Sequence, residues 1–77
     1  MEIERGSLVY SIAGRDKGSL FLVLERDGEF AYLADGSMRK VENPKKKKIK
    51  HINKTNTRLE FEENVSNSDI RKMLKKV

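Results

Sequence analysis

The chain has 77 residues, of which 36% are hydrophobic and none is cysteine, and its formal net charge at pH 7 is +5. This length suits one small domain, and the lack of cysteine excludes disulfides and thiolate metal sites. No apolar run approaches the roughly 20 residues that a membrane-spanning helix needs, so the sequence predicts a soluble cytoplasmic protein.

The charge is unevenly distributed along the chain. Residues 39–54 hold eight basic side chains and one acidic side chain, whereas residues 1–38 hold four basic and seven acidic ones. Such a concentration of positive charge is typical either of a protein that binds a polyanion or of a solvated tail.

The first half of the sequence predicts short strands separated by tight turns. Residues 7–12 (SLVYSI) alternate, and residues 19–25 (SLFLVLE) are nearly continuously apolar, as in a strand that is buried on most sides. Asp-Gly turns at 27–28 and 35–36 bracket a third strand. The further strands are expected at 30–34, 38–42 and 48–52. Five short strands with tight turns predict a small closed β-barrel.

The last third of the sequence predicts a packing helix. Residues 55–65 read as a strand or as an extended connector, and residues 66–77 as a helix that begins with a capping box of Ser66 and Asp69. The apolar stripe formed by Ile70, Met73, Leu74 and Val77 should dock on the barrel. A membrane-binding amphipathic helix is the alternative, but this stripe is short for that purpose.

A charged loop bracketed by glycines lies between the first two strands. Gly14 and Gly18 would let the backbone approach a partner closely, while Arg15 and Lys17 project outward. Exposed amides in such a loop can face the oxygens of a phosphate. The alternative is a long hairpin loop whose charges are merely solvated.

Residues 6–24, with the run SLVYSIAGRDKGSLFLVL, resemble the KOW motif of several ribosomal proteins and of NusG-type transcription factors. Residues 33–52 (LADGSMRKVENPKKKKIKHI) resemble the second half of the L14e family of large-subunit ribosomal proteins and its bacterial relatives. The resemblance implies an SH3-like barrel of five strands that binds ribosomal RNA through the loop between the first two strands. It implies loop contacts by Gly14, Arg15, Lys17 and Gly18, and a basic edge formed by Arg39, Lys40, Lys45, Lys46, Lys47, Lys50 and His51.

Lys48 departs from the family pattern, but it belongs to the same lysine run, and we include it among the predicted RNA-binding residues. Without context, four consecutive lysines are most often a mobile solvated loop. Here Pro44 stiffens the entry, while Ile49 and Ile52 tie the far end to the core, so the charges lie on a short tethered segment. Such a segment contacts phosphates rather than base edges.

We therefore expect an RNA-binding module that is monomeric when free, with a barrel over 1–54, a connector over 55–65 and a helix over 66–77. An enzyme is disfavoured because the sequence has no paired histidines and no phosphate-cradling motif, and we predict no cofactor and no small-molecule substrate. His51 is a lone imidazole, which predicts hydrogen bonding rather than metal binding. An SH3-type peptide adaptor or a transcription-associated module remains the alternative, although the sequence lacks tryptophan and is basic.

Overall fold

The computed structural model describes residues 2–76. Five antiparallel strands form one sheet in the order β4-β3-β2-β1-β5, and a helix follows the last strand. This confirms the predicted fold class, mainly β with a C-terminal helix. The elements are β1 (Ser7–Ser11), β2 (Leu20–Asp27), β3 (Phe30–Ala34), β4 (Lys45–Lys48), a 3-10 turn (Ile49–His51), β5 (Ile52–Arg58) and α1 (Asn67–Lys75).

The connection between β4 and β5 shows that the sheet is curled. These strands lie at opposite edges of the sheet, yet only the 3-10 turn of three residues joins them. In a flat sheet the two edges would be about 19 Å apart, whereas three residues of 3-10 helix rise only about 6 Å. The edges must therefore approach each other at this point, which is compatible with the predicted barrel.

Strand β2 is buried on both of its faces. Phe21 and Val23 belong to an inner apolar cluster, while Leu22 belongs to a second cluster on the opposite face, which also contains Ile70 of the helix. A strand that packs against two layers needs apolar side chains at successive positions, because alternate residues point to opposite faces. This confirms the interpretation of the apolar run in residues 19–25.

The helix begins where the sequence predicted. Ser66 accepts a hydrogen bond from the Asp69 amide, and the Asp69 carboxylate accepts one from the Ser66 amide, which completes the capping box. Ile70 is fully buried, and Met73 and Leu74 are half-buried against the same cluster. Val77, the last residue of the predicted stripe, lies outside the described residues. Between residues 2 and 76 no helix has the length and apolar character needed to cross a bilayer.

The predicted strand at 38–42 is wrong, because these residues lie in an irregular loop between β3 and β4. The Asp35 carboxylate accepts hydrogen bonds from the backbone amides of Ser37 and Arg39, which closes a turn. The side chain of Asn67 accepts another from the amide of Val41. These contacts engage amides that a strand would use in its ladder.

The lysine run forms the fourth strand instead. Lys45–Lys48 pairs with β3 along its whole length. The predicted strand at 48–52 is also wrong, because residues 49–51 form the 3-10 turn and β5 begins only at Ile52. Strand β5 then continues to Arg58, so the expected boundary between barrel and connector after residue 54 falls inside a strand.

Candidate nucleic-acid interface

The centre of the loop between β1 and β2 is an acidic residue that points inward. Oδ1 of Asp16 accepts hydrogen bonds from Ser11 Oγ at 2.7 Å and from Lys47 Nζ at 2.8 Å. Lys47 Nζ also donates to the carbonyl oxygen of Ala13 at 2.8 Å. Partial burial raises the pKa of the Asp16 carboxyl, but the hydrogen bonds from Lys47 and Ser11 and the charges of Lys47 and Lys45 outweigh it, so this pKa lies below its ordinary value.

Strand alternation explains why Lys47 reaches this carboxylate. Lys47 lies opposite Ala31, a residue of the inner cluster, and its side chain is only 8% exposed. Lys45 shares this face of β4, and its ammonium lies 3.8 Å from Oδ2 of Asp16, a buried oxygen that accepts no hydrogen bond. Lys46 and Lys48 occupy the opposite face and are exposed. Four identical side chains therefore fall into an inward pair and an outward pair.

With Asp16 turned inward, the loop exposes its cations. Arg15 and Lys17 are both exposed and have no ion-pair partner within residues 2–76. Gly14 and Gly18 adopt φ angles of +84° and +90°, which only glycine reaches without strain. The loop is closed by a hydrogen bond of 2.8 Å from the Gly18 amide to the Ser11 carbonyl oxygen. The two glycines and this hydrogen bond thus fix the conformation of the loop at both of its ends.

The backbone of the same loop leaves four consecutive donors unused. The amides of residues 13–16 donate no hydrogen bond to any acceptor in the part of the chain that the structure describes. Unused amides beside cationic side chains are suitable donors to an anionic oxygen. Chemically, this set of donors suits the oxygens of a phosphate group.

A second basic loop lies at the same end of the sheet. The register places Ala34, the last residue of β3, opposite Leu22, close to where β2 begins after the first loop. The loop of residues 35–44 therefore starts beside the β1–β2 loop. It carries Arg39, which is half-buried, and Lys40, which is exposed.

The 3-10 turn reaches this end of the sheet as well. The amide of Ile12 donates to the carbonyl oxygen of His51 at 2.9 Å, which brings the half-buried His51 to the base of the first loop. We call the basic side chains that gather here the basic end. It consists of Arg15, Lys17, Arg39, Lys40, Lys45 and His51.

The other residues that the sequence predicts to bind RNA lie outside the basic end. The ammonium of Lys46 lies 4.5 Å from the centre of the Phe30 ring, and Lys48 is opposite Phe30 on the far half of β4. Lys50 is exposed in the middle of the 3-10 turn. Lys47 is buried and engaged with Asp16, so its ammonium is not presented on the surface with the others.

The opposite end of the sheet carries charges of both signs. The turn between β2 and β3 exposes Asp27 and Glu29, and the neighbouring N-terminal segment exposes Glu2 and Glu4. The Glu2 carboxylate lies 3.5 Å from the guanidinium of Arg26 on β2, which places this segment beside the acidic turn. Cations lie at this end too, because Arg58 pairs with Glu4 at 2.8 Å and exposed Lys48 lies opposite Phe30.

Sequence reasoning did not identify the role of Asp16. The sequence shows only that Asp16 lies between two cationic residues in a glycine-bracketed loop. The residue that orients its carboxylate, Lys47, lies 31 residues further along the chain. Sequence reasoning also missed that Ile12 and Met38 are exposed at the basic end. Across residues 2–76 no group of three or more metal-ligating side chains could hold a metal ion.

A scan of the sequence against protein-family models gives no match, and a search of curated proteins gives none either. The resemblance to KOW-domain and L14e-type proteins therefore rests on the residues quoted from the sequence.

Proposed function

We propose that this protein is an RNA-binding module of the KOW type whose basic end contacts the phosphates of a folded RNA. The observation that carries the proposal is the inward position of Asp16. Because Lys47 and Ser11 hold this carboxylate, the loop presents Arg15 and Lys17 without a competing negative charge. The four unused amides of residues 13–16 add neutral donors to the same surface.

Contacts of this kind determine affinity rather than sequence preference. Each neutralised phosphate releases counterions, and this release supplies most of the binding free energy of a sequence-independent contact. Guanidinium groups such as Arg15 and Arg39 bind phosphate oxygens in a bidentate manner, while lysines act as point charges. The two loops and the 3-10 turn define a surface shape, and we propose that this shape selects the RNA site.

Large-subunit ribosomal RNA is the proposed target. It presents densely packed phosphates in preformed shapes, which suits a domain with little surface for reading bases. The sequence resemblance to KOW-domain and L14e-type proteins supports the same target. In this role the protein acts in the cytoplasm as a monomer that binds RNA without catalysis or a cofactor.

Sedimentation with purified large ribosomal subunits tests the proposal. We expect the protein to co-sediment at low salt and to be released as the salt concentration rises. The variant Arg15→Gln with Lys17→Gln should be released at a lower salt concentration than the wild-type protein, because it loses two phosphate contacts. The matched control, Lys72→Gln with Lys75→Gln, removes two exposed charges from the helix and should still co-sediment.

Two results would contradict the proposal. One is free protein at every salt concentration, with purified large-subunit RNA also left unbound. The other is equal retention of the loop variant and the helix control, because the basic end would then contribute no more than any other positive surface.

A peptide-binding adaptor is the second candidate, and one groove favours it. The groove is open and contains the half-buried rings of Tyr32 and Phe61 beside the exposed carboxylate of Glu25. However, the guanidinium of Arg5 already lies 4.1 Å from the centre of the Phe61 ring and donates to two backbone carbonyl oxygens there. Fluorescence polarisation with a labelled Arg- and Pro-rich peptide tests this candidate, which predicts binding that Tyr32→Ala abolishes.

A further inference from the structure

Three large hydrophobic side chains are exposed within residues 2–76, and all of them lie at or beside the basic end. Tyr10 is 42% exposed, Ile12 is 41% exposed and Met38 is 87% exposed. Isolated exposed apolar residues need no explanation, but their concentration beside one functional surface does. Neither a phosphate nor a solvated loop accounts for them.

The sheet register places Tyr10 and Ile12 close to the first loop. Tyr10 lies opposite Leu20 of β2 on one side and Asn53 of β5 on the other, one residue before β1 ends. Ile12 follows on the same face of the strand and leads into the loop that carries Arg15. The apolar pair and the cationic loop therefore form one continuous surface.

Met38 approaches from the second loop. Strands β1 and β3 are separated only by β2, and the register places Ala34, which precedes the 35–44 loop, level with Leu22 and hence with Leu8 of β1. Met38 is followed directly by Arg39 and Lys40. Both apolar elements are thus flanked by cations within a few residues along the chain.

Of the three acidic residues in these loops, Glu42 is exposed and acts on Lys40, whereas the protein itself holds the carboxylates of the other two. Asp16 is engaged with Lys47, and the Asp35 carboxylate accepts the amides of Ser37 and Arg39. A ligand that complements this surface needs apolar faces spaced between negative charges. Nucleotides whose bases are unstacked have this chemistry, because each base has an apolar π-face and each phosphate is anionic.

We infer that the basic end binds unpaired nucleotides in the folded RNA, and this inference rests on the proposed function. The ring of Tyr10 stacks on one base, and Ile12 and Met38 pack against the neighbouring bases. The cations of the two loops hold the phosphates between them. The preferred ligand is therefore an RNA loop or bulge next to a duplex, rather than a regular duplex alone.

Two RNA probes of equal length and equal phosphate number test the inference at one fixed salt concentration. One is a stem-loop with 2-aminopurine in the loop, and the other is a blunt perfect duplex. We expect the stem-loop to bind at least about tenfold more tightly, with a change in 2-aminopurine fluorescence on binding, because stacking on an aromatic ring contributes strongly per base.

Side-chain variants separate stacking from a merely structural role. Tyr10→Ala should weaken stem-loop binding by about tenfold and leave duplex binding unchanged, while Tyr10→Phe should restore binding because the ring suffices for stacking. Met38→Ser provides a second variant with little risk to the fold, since this side chain is 87% exposed, and it should weaken stem-loop binding selectively.

The outcomes distinguish this inference from the proposed function. If both probes bind equally and neither Tyr10→Ala nor Met38→Ser alters binding, while Arg15→Gln with Lys17→Gln weakens it, the inference is wrong and the phosphate-binding function stands. If neither probe binds at any salt concentration, both are wrong.

Discussion

Replacing Lys47 with methionine tests the contact that holds the β1–β2 loop. Methionine keeps much of the aliphatic length of the side chain and removes the ammonium group. Because the side chains of Lys47 and Asp16 are only 8% and 17% exposed, the remaining carboxylate would be largely shielded from water. It would keep the hydroxyl of Ser11 and the more distant ammonium of Lys45 at 3.8 Å.

The expected loss of stability is large for a domain of this size. Removing one partner of a fully buried ion pair costs about 3–5 kcal/mol. The residual exposure of Asp16 and its other two partners reduce this, so we expect the free energy of unfolding to fall by about 2–3 kcal/mol. The melting temperature should then drop by about 10–20 °C. Urea titration and thermal melting, both followed by circular dichroism, measure the two quantities.

Lys48→Met is the matched control on the same strand. Lys48 is exposed, so this substitution should change the free energy of unfolding by no more than about 0.5 kcal/mol. The double variant Asp16→Asn with Lys47→Met should recover part of the loss, because a neutral amide needs no cationic partner. Equal effects of Lys47→Met and Lys48→Met would refute the role of the ion pair, as would strict additivity in the double variant.

Three further predictions concern the pH dependence and the packing of the helix. Because the pKa of Asp16 in the folded protein lies below its ordinary value of 3.8, its ionised form stabilises the fold above that pH and this contribution is lost as the pH falls through the lowered pKa. Urea midpoints at pH 7 and pH 3 should therefore differ less for Asp16→Asn than for the wild-type protein, and an unchanged difference would exclude this contribution. Gly36→Ala should destabilise more than Gly28→Ala in thermal melts, since both glycines have positive φ but only a β-carbon at Gly36 would meet a backbone atom, the carbonyl oxygen of Asn67; equal losses would show that the close approach is unimportant. Ile70→Ala should lower the free energy of unfolding by about 2–5 kcal/mol and Leu74→Ala by less, because Leu74 is only half-buried; a stable Ile70→Ala variant would mean that the helix is not docked.

The sequence was sufficient to predict the elements whose signals are local. The apolar run around Phe21 and Val23 predicted a strand buried on most sides, and Ser66 with Asp69 predicted the start of the helix. Both signals depend on residues that are close together in the chain. Capping in particular needs only the backbone amides of the first helical turn.

The fourth strand was not predictable from local preference. Lysine is depleted in strands, and no residue of the run Lys45–Lys48 is apolar. The run forms a strand because the edge of β3 offers unpaired hydrogen-bonding groups and because Ile49, directly after it, packs against the inner cluster. The residues at 38–42 had a better strand pattern, but contacts from Asp35 and Asn67 took their amides.

The candidate site was predictable in composition but not in geometry. Arg15 and Lys17 were expected to project outward from the glycine-bracketed loop, and both are exposed. The opposite orientation of Asp16 depends on Lys47, whose position follows from the register of β4. A tertiary contact of this kind leaves no local pattern in the sequence, so a run of four lysines did not reveal that one of them is buried.

The salt dependence of RNA binding tests the central claim most directly. If the basic end neutralises about five phosphates, the logarithm of the association constant for the stem-loop RNA should fall against the logarithm of the salt concentration with a slope of about −4 to −5. The variant Arg15→Gln with Lys17→Gln should reduce this slope by about 2 in magnitude, while Lys72→Gln with Lys75→Gln should leave it nearly unchanged. A slope near −1 for the wild-type protein, unaffected by the loop substitutions, would contradict the claim that this end of the sheet binds RNA phosphates.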